Sequence, residues 1–131
     1  MERREINPWS WSVEMGFQQA VEVTSAQRTL YCSGQTSVDE KGAPLHAGDM
    51  LAQVGTALDN LGAVLADAGM TPANIVRLNV YTTDVDAFMG SLETIGGRMA
   101  EAGILMSSTL LGVQRLAYPE LLVELEATAV A

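Results

Sequence analysis

One cysteine, Cys32, and one histidine, His46, are all that the 131 residues offer to a soft metal. A lone thiol forms no intramolecular disulfide and builds no cysteine-ligated zinc or iron–sulfur site, so a reducing compartment suits the chain. His46 lies in a turn region with no acidic partner indicated, which argues against a serine–histidine pair with Ser33, and a single histidine makes no metal site. Neither of the standard Gly-rich phosphate loops is present, so no cofactor and no metal are expected. Positive charge is also scarce. Seven Lys+Arg face 16 Asp+Glu, a net charge of -9 that repels a phosphate backbone or an anionic bilayer, so neither nucleic acid nor membrane is an expected partner. Long apolar runs are missing too. After Met1-Glu2-Arg3-Arg4-Glu5 no apolar stretch of about 7–15 residues follows. The most apolar helical segment, Met50 to Ala68, is broken by Gln53, Asp59, Asn60 and Asp67, far from the roughly 20 apolar residues of a membrane span. A cytoplasmic protein is expected.

What is present is an ordinary globular composition, 48% hydrophobic and 18% charged, at a length that suits one domain over residues 1–131. Leu51, Val54, Leu58, Leu61 and Leu65 recur at three- and four-residue steps and predict a helix, with Asp49 as N-cap and Gly69 as its stop. A second helix is predicted from Asp86 to Ala102, with Phe88, Leu92, Ile95 and Met99 on one side. Strands are predicted at Ala20–Val23 and Thr29–Ser33, read as a hairpin, and at Ile75–Thr83. Thr109–Leu116 and Leu121–Val130 are read as a closing pair. The expected fold is α+β, a single mixed sheet with two helices on one face. Two helices leave the second face of the sheet to water or to another copy of the chain. On the last strand Leu122, Glu124, Glu126 and Thr128 form a mixed face, suited to a subunit boundary or a pocket.

Three stretches, in order, resemble the RidA (YjgF) family. Gly16-Phe17-Gln18-Gln19-Ala20-Val21 is similar to its Gly-Pro-Tyr-Ser-Gln-Ala-Val segment. Leu30-Tyr31-Cys32-Ser33-Gly34-Gln35 is similar to its strand ending in Ser-Gly-Gln, and Leu122-Val123-Glu124-Leu125-Glu126-Ala127 to its closing Val-Glu-Ile-Glu-Ala strand. Leu58-Asp59-Asn60-Leu61 and Val80-Tyr81 through Phe88 add to the match. The resemblance implies a chorismate-mutase-like fold, a homotrimer with inward-facing sheets, and small-molecule pockets between subunits. It also implies hydrolysis of reactive enamines and imines such as 2-aminoacrylate. In such members an arginine in a Pro-Ala-Arg-Ser-Cys-Val context clamps the substrate carboxylate, a backbone Gly assists, and a Glu on the last strand positions water.

The chain departs from that pattern where the carboxylate would bind. Ser108 stands in place of the clamping arginine, Leu110 in place of the cysteine, and Phe17 in place of the tyrosine, whereas Glu124 matches the acid. Arg115 is an odd seven residues from Ser108 and would face the other way on a regular strand. Arg77 is a candidate substitute. The expected site is Glu124 as water-orienting catalytic group, with Phe17, Ser33, Gly34, Ser108 and Leu110 binding substrate in one cleft at a subunit boundary. Ser108 and Glu124 are expected on neighbouring strands, within a few ångströms of each other. Two functions follow: a deaminase-like hydrolase of an imine, enamine or related metabolite other than 2-aminoacrylate, or a noncatalytic small-molecule-binding or regulatory trimer.

Overall fold

The computed structural model describes residues Met1–Ala131. A mixed α+β layer is observed, with the main helices on one face of the sheet. Helix α2, Met50–Asp67, begins where Asp49 accepts a hydrogen bond from the Ala52 amide and stops before Gly69, whose φ of +72° suits a residue without a side chain. Its core-facing stripe is Met50, Val54, Ala57, Leu61 and Leu65, rotated slightly from the stripe read in the sequence, so Leu51 is exposed. Around it stand β3 (Thr29–Tyr31), β4 (Gln35–Thr36), β5 (Ile75–Thr82), β6 (Ser107–Gly112) and β7 (Val123–Val130), a five-stranded sheet in the order β3-β7-β5-β6 with β4 also on β7. Strand β5 runs parallel to β6 and antiparallel to β7.

Several expected pairings are overturned. The stretches expected to close on each other, β6 and β7, are separated by β5 and do not pair. The expected upstream hairpin is not formed either. β2 (Ala20–Thr24) pairs with β1 (Glu2–Ile6), a strand that its charges concealed, and β3 pairs with β7. Arg4 and Glu22 hold the two-stranded β1-β2 ribbon across its exposed side at 3.1 Å, and a Gln18–Ser107 bridge fastens the ribbon to the β6 edge. The long second helix is two, α3 (Val85–Gly90) and α4 (Leu92–Glu101), broken at Gly90-Ser91, where neither residue favours helix strongly. A short helix, α1 (Trp11–Glu14), precedes Phe17.

One cluster of 19 buried hydrophobic residues lies between α2, α3, α4 and the sheet, and includes Cys32. Burial raises the Cys32 thiol pKa above its ordinary value, so it packs as an apolar group instead of serving as a thiolate. Two polar side chains of α2 tie loops to this core. Gln53, fully buried, donates to the His46 and Glu120 carbonyls and accepts from the Leu122 amide, and Asn60 donates to the carbonyls of Thr36 and Val38. No helix is long and apolar enough to cross a membrane.

Candidate active site

Successive side chains of a strand point to opposite faces, and β7 divides its chemistry accordingly. Val123, Leu125, Ala127 and Ala129 pack under the helices, while Glu124, Glu126 and Thr128 stand on the open face. The register with β5 sets Tyr81 opposite Glu124, Asn79 opposite Glu126 and Arg77 opposite Thr128. Beyond β5, Ser107, Thr109 and Leu111 of β6 continue the same face.

The two glutamates have distinct environments. Glu126 accepts hydrogen bonds from the Tyr81 hydroxyl at 2.9 Å and from the Asn79 amide at 3.2 Å. The first of these holds the Tyr81 phenol above its ordinary pKa. Glu124 accepts no hydrogen bond from the chain. Burial pushes its carboxyl above the usual carboxylate range, and the neighbouring Glu126 charge pushes the same way. The Glu124 carboxyl lies across the backbone of Gly34, where a Cβ would come within 2.1 Å of its Oε2. A larger residue at Gly34 would displace the Glu124 carboxyl from its present position, so the bare backbone and the carboxyl lie in direct contact. Ser33 lies beside Gly34 and is exposed. Glu124 is thus distinguished from Glu126 by its free oxygens, a difference their equal parity on the strand could not reveal.

The remaining expected residues lie elsewhere. Phe17, Ser108 and Leu110 come together with Phe88 and Met106 around a cavity of about 210 Å³ between the segment after α1, helices α3 and α4, and the helix-side face of β5 and β6. Trp11 meets the Phe17 ring edge-on, with centroids 5.8 Å apart. The Ser108 hydroxyl donates to the Leu78 carbonyl at 2.6 Å. The structure therefore makes two groups of the six residues, Phe17/Ser108/Leu110 and Ser33/Gly34/Glu124, on opposite faces of the sheet. A single cleft within one chain, with Ser108 beside Glu124, is not formed, because β5 intervenes and Ser108 has the parity of the buried side chains.

Arg77 takes neither part. Its guanidinium donates to Thr109 Oγ1 at 2.9 Å and more weakly to Ser107 Oγ at 3.4 Å, on the face opposite Ser108. Four residues of strand, about 13 Å at 3.3 Å per residue, separate it from Tyr81, the position opposite Glu124. Asn79 and Tyr81 are not singled out by the sequence, because their partner Glu126 follows only from the β5–β7 register. No group of three or more His, Cys, Asp or Glu side chains is gathered to hold a metal ion.

A sequence profile for the family described as Endoribonuclease L-PSP matches residues 11–131. The chain belongs to the RidA (YjgF) family. Among solved structures it is similar to a Rid-family protein of unknown function, YyfB from Yersinia pestis. That likeness has 40% identity, a TM-score of 0.89 and coverage of 100% of both chains. A RutC family protein of Aquifex aeolicus is 30% identical over 86% of this chain and 88% of its own length. The 2-iminobutanoate/2-iminopropanoate deaminase of Mus musculus is 36% identical over 55% of this chain. That match spans about half of the deaminase's own length, 51%.

Proposed function

We propose that the protein hydrolyses the C=N bond of a reactive imine, or of its enamine tautomer, in a homotrimer whose sites lie between copies. Residues 1–131 act as one unit in this reading, in the cytoplasm. The observation that carries it is the half-buried Glu124 carboxyl, with free oxygens and a raised pKa, laid against the bare backbone of Gly34. The deaminase relatives support the reaction class. Because Ser33, Gly34 and Glu124 occupy the open face and Phe17, Ser108 and Leu110 the other, the reading takes the first group from one copy and the second from its neighbour.

The chemistry asks little of a carboxyl group and no cofactor. Water adds to the carbon of the protonated imine, Glu124 accepting one of its protons, to give a neutral carbinolamine. Glu124 returns that proton to nitrogen, and as the C–N bond breaks the carbinolamine hydroxyl gives its own proton to Glu124 or solvent, so that ammonia leaves a carbonyl product. A carboxyl whose pKa is raised is better matched to accept and return that proton near neutrality than an ordinary one. Substrates that carry a carboxylate beside the imine, as 2-aminoacrylate and 2-iminobutyrate do, are disfavoured. Ser108 offers them no positive charge, and a lost charge-assisted hydrogen bond is worth about 1.5–3 kcal/mol. RNA cleavage, named in the family's description, is not the reading proposed, since a net charge of -9 repels a phosphate backbone.

A second reading, a noncatalytic binding trimer, draws on the commitment of the Ser108 hydroxyl to the main chain. Ammonia release from a panel of imines generated in solution separates the two. Turnover that falls by about 10²–10⁴-fold in Glu124→Gln supports hydrolysis. Saturable binding across the panel without turnover supports the second reading.

A further inference from the structure

The cavity beneath α3 and α4 is lined almost entirely by apolar side chains. Its walls are Phe17, Phe88, Leu92, Ile95 and Leu110, and four of the seven methionines, Met15, Met89, Met99 and Met106, border it. No ionisable side chain reaches it. The hydrogen-bond donors around it are already engaged. Ser108 Oγ donates to the Leu78 carbonyl, the Met15 amide to those of Trp11 and Ser12, the Gly16 amide to that of Val13 and the Phe17 amide to that of Ser12. A carboxylate brought here would lose its water and gain no donor. An uncharged hydrocarbon group would lose only its unfavourable contact with water. Methionine is flexible and polarizable, so this border can adapt to the outline of what enters. Gly96 of α4 also borders the space, and a Cβ built there meets no atom within 4 Å, so the glycine leaves room unfilled by the protein.

We infer that this cavity binds an uncharged apolar group of the size of one or two fused aromatic rings. The size follows from the volume. Apolar cavities of about 150 Å³ accept benzene, and this one measures about 210 Å³. Where the inference assigns the cavity to the substrate's hydrocarbon portion it rests on the proposed hydrolytic site, with Glu124 of a neighbouring copy meeting the polar end. The binding chemistry itself rests only on the lining.

The test titrates the whole protein with toluene and indole, and in parallel with benzoate and indole-3-carboxylate, following the methionine methyl resonances. The neutral probes are expected to shift Met15, Met89, Met99 and Met106 saturably and to leave Met50 and Met70, which lie outside the cavity, unmoved. The anionic probes are expected to bind at least about tenfold more weakly. Gly96→Leu, which directs a side chain into the space and removes a helix-weakening glycine, should abolish the shifts. Should that variant not fold, the comparison of neutral and anionic probes on the wild-type protein still decides. Equal affinity for the two probe types, tighter binding of the anions, or no saturable shift with either neutral probe overturns the inference. Neutral-probe binding without imine turnover would uphold it while removing the hydrolytic reading, and turnover without neutral-probe binding would do the reverse.

Discussion

The two faces of β7 run along the same eight residues and serve opposite ends. On the helix side, Val123, Leu125 and Ala129 are wholly removed from water and belong to the hydrophobic cluster. On the open side, Glu124 and Glu126 stand one alternation apart, one bonded by Tyr81 and Asn79 and the other by nothing. The covered face stores the stability, and the open face holds the groups that stability can afford to leave unsatisfied. A carboxyl with free oxygens and a raised pKa persists there because the strand carrying it is fixed from behind.

That contrast can be probed at five positions. Leu125→Ala removes a fully buried side chain from the covered face and should destabilise the protein by about 2–5 kcal/mol. Thr128→Ala on the open face should remain within about 1 kcal/mol in the same denaturant titration. Equal losses would erase the distinction between the faces. Gln53→Ala leaves two carbonyls and one amide without their buried partner, and thermal unfolding should show a loss of about 1–3 kcal/mol. Tyr81→Phe deletes the hydroxyl that anchors Glu126, and the same unfolding measurement should show a smaller loss than Gln53→Ala. The smallest effect is a dependence on pH. The folded Glu124 carboxyl has a raised pKa, so its contribution to stability is fully present below its unfolded value and is lost as pH rises through the folded one. Glu124→Gln should therefore melt higher relative to wild type at about pH 8 than at about pH 4, and a constant difference across that range would remove the raised pKa from the account.

Much of the covered side was legible in the sequence. The heptad-like spacing of leucines, Asp49 as cap and Gly69 as stop define α2, and alternation assigns the faces of β7. Pairing was not legible, because periodicity says which way a side chain points and nothing of which strand lies alongside. Hence β6 and β7 were expected as neighbours, and Ser108 was set beside Glu124. β1 was hidden for another reason. Glu2-Arg3-Arg4-Glu5 has no apolar alternation, and its strand is held by an ion pair across a two-stranded ribbon. Gln53 and Asn60 enter the sequence only as polar breaks in an apolar segment, since a polar residue that bonds distant carbonyls looks, in sequence, like one that bonds water. On the open side, parity marked Glu124 and Glu126 equally. What separates them is a three-dimensional fact, the approach of Glu124 to Gly34 and of Tyr81 to Glu126.

The central claim is that the catalytic carboxyl and the apolar cavity meet only between copies of the chain. A crystal structure of the assembled protein tests it most directly. The account predicts a trimer of three times 13.9 kDa, in which the Glu124 carboxyl of one copy faces the Phe17–Leu110 cavity of the next. A monomeric arrangement, or a trimer in which Glu124 faces bulk solvent and the cavity opens away from every neighbouring Gly34, would contradict it.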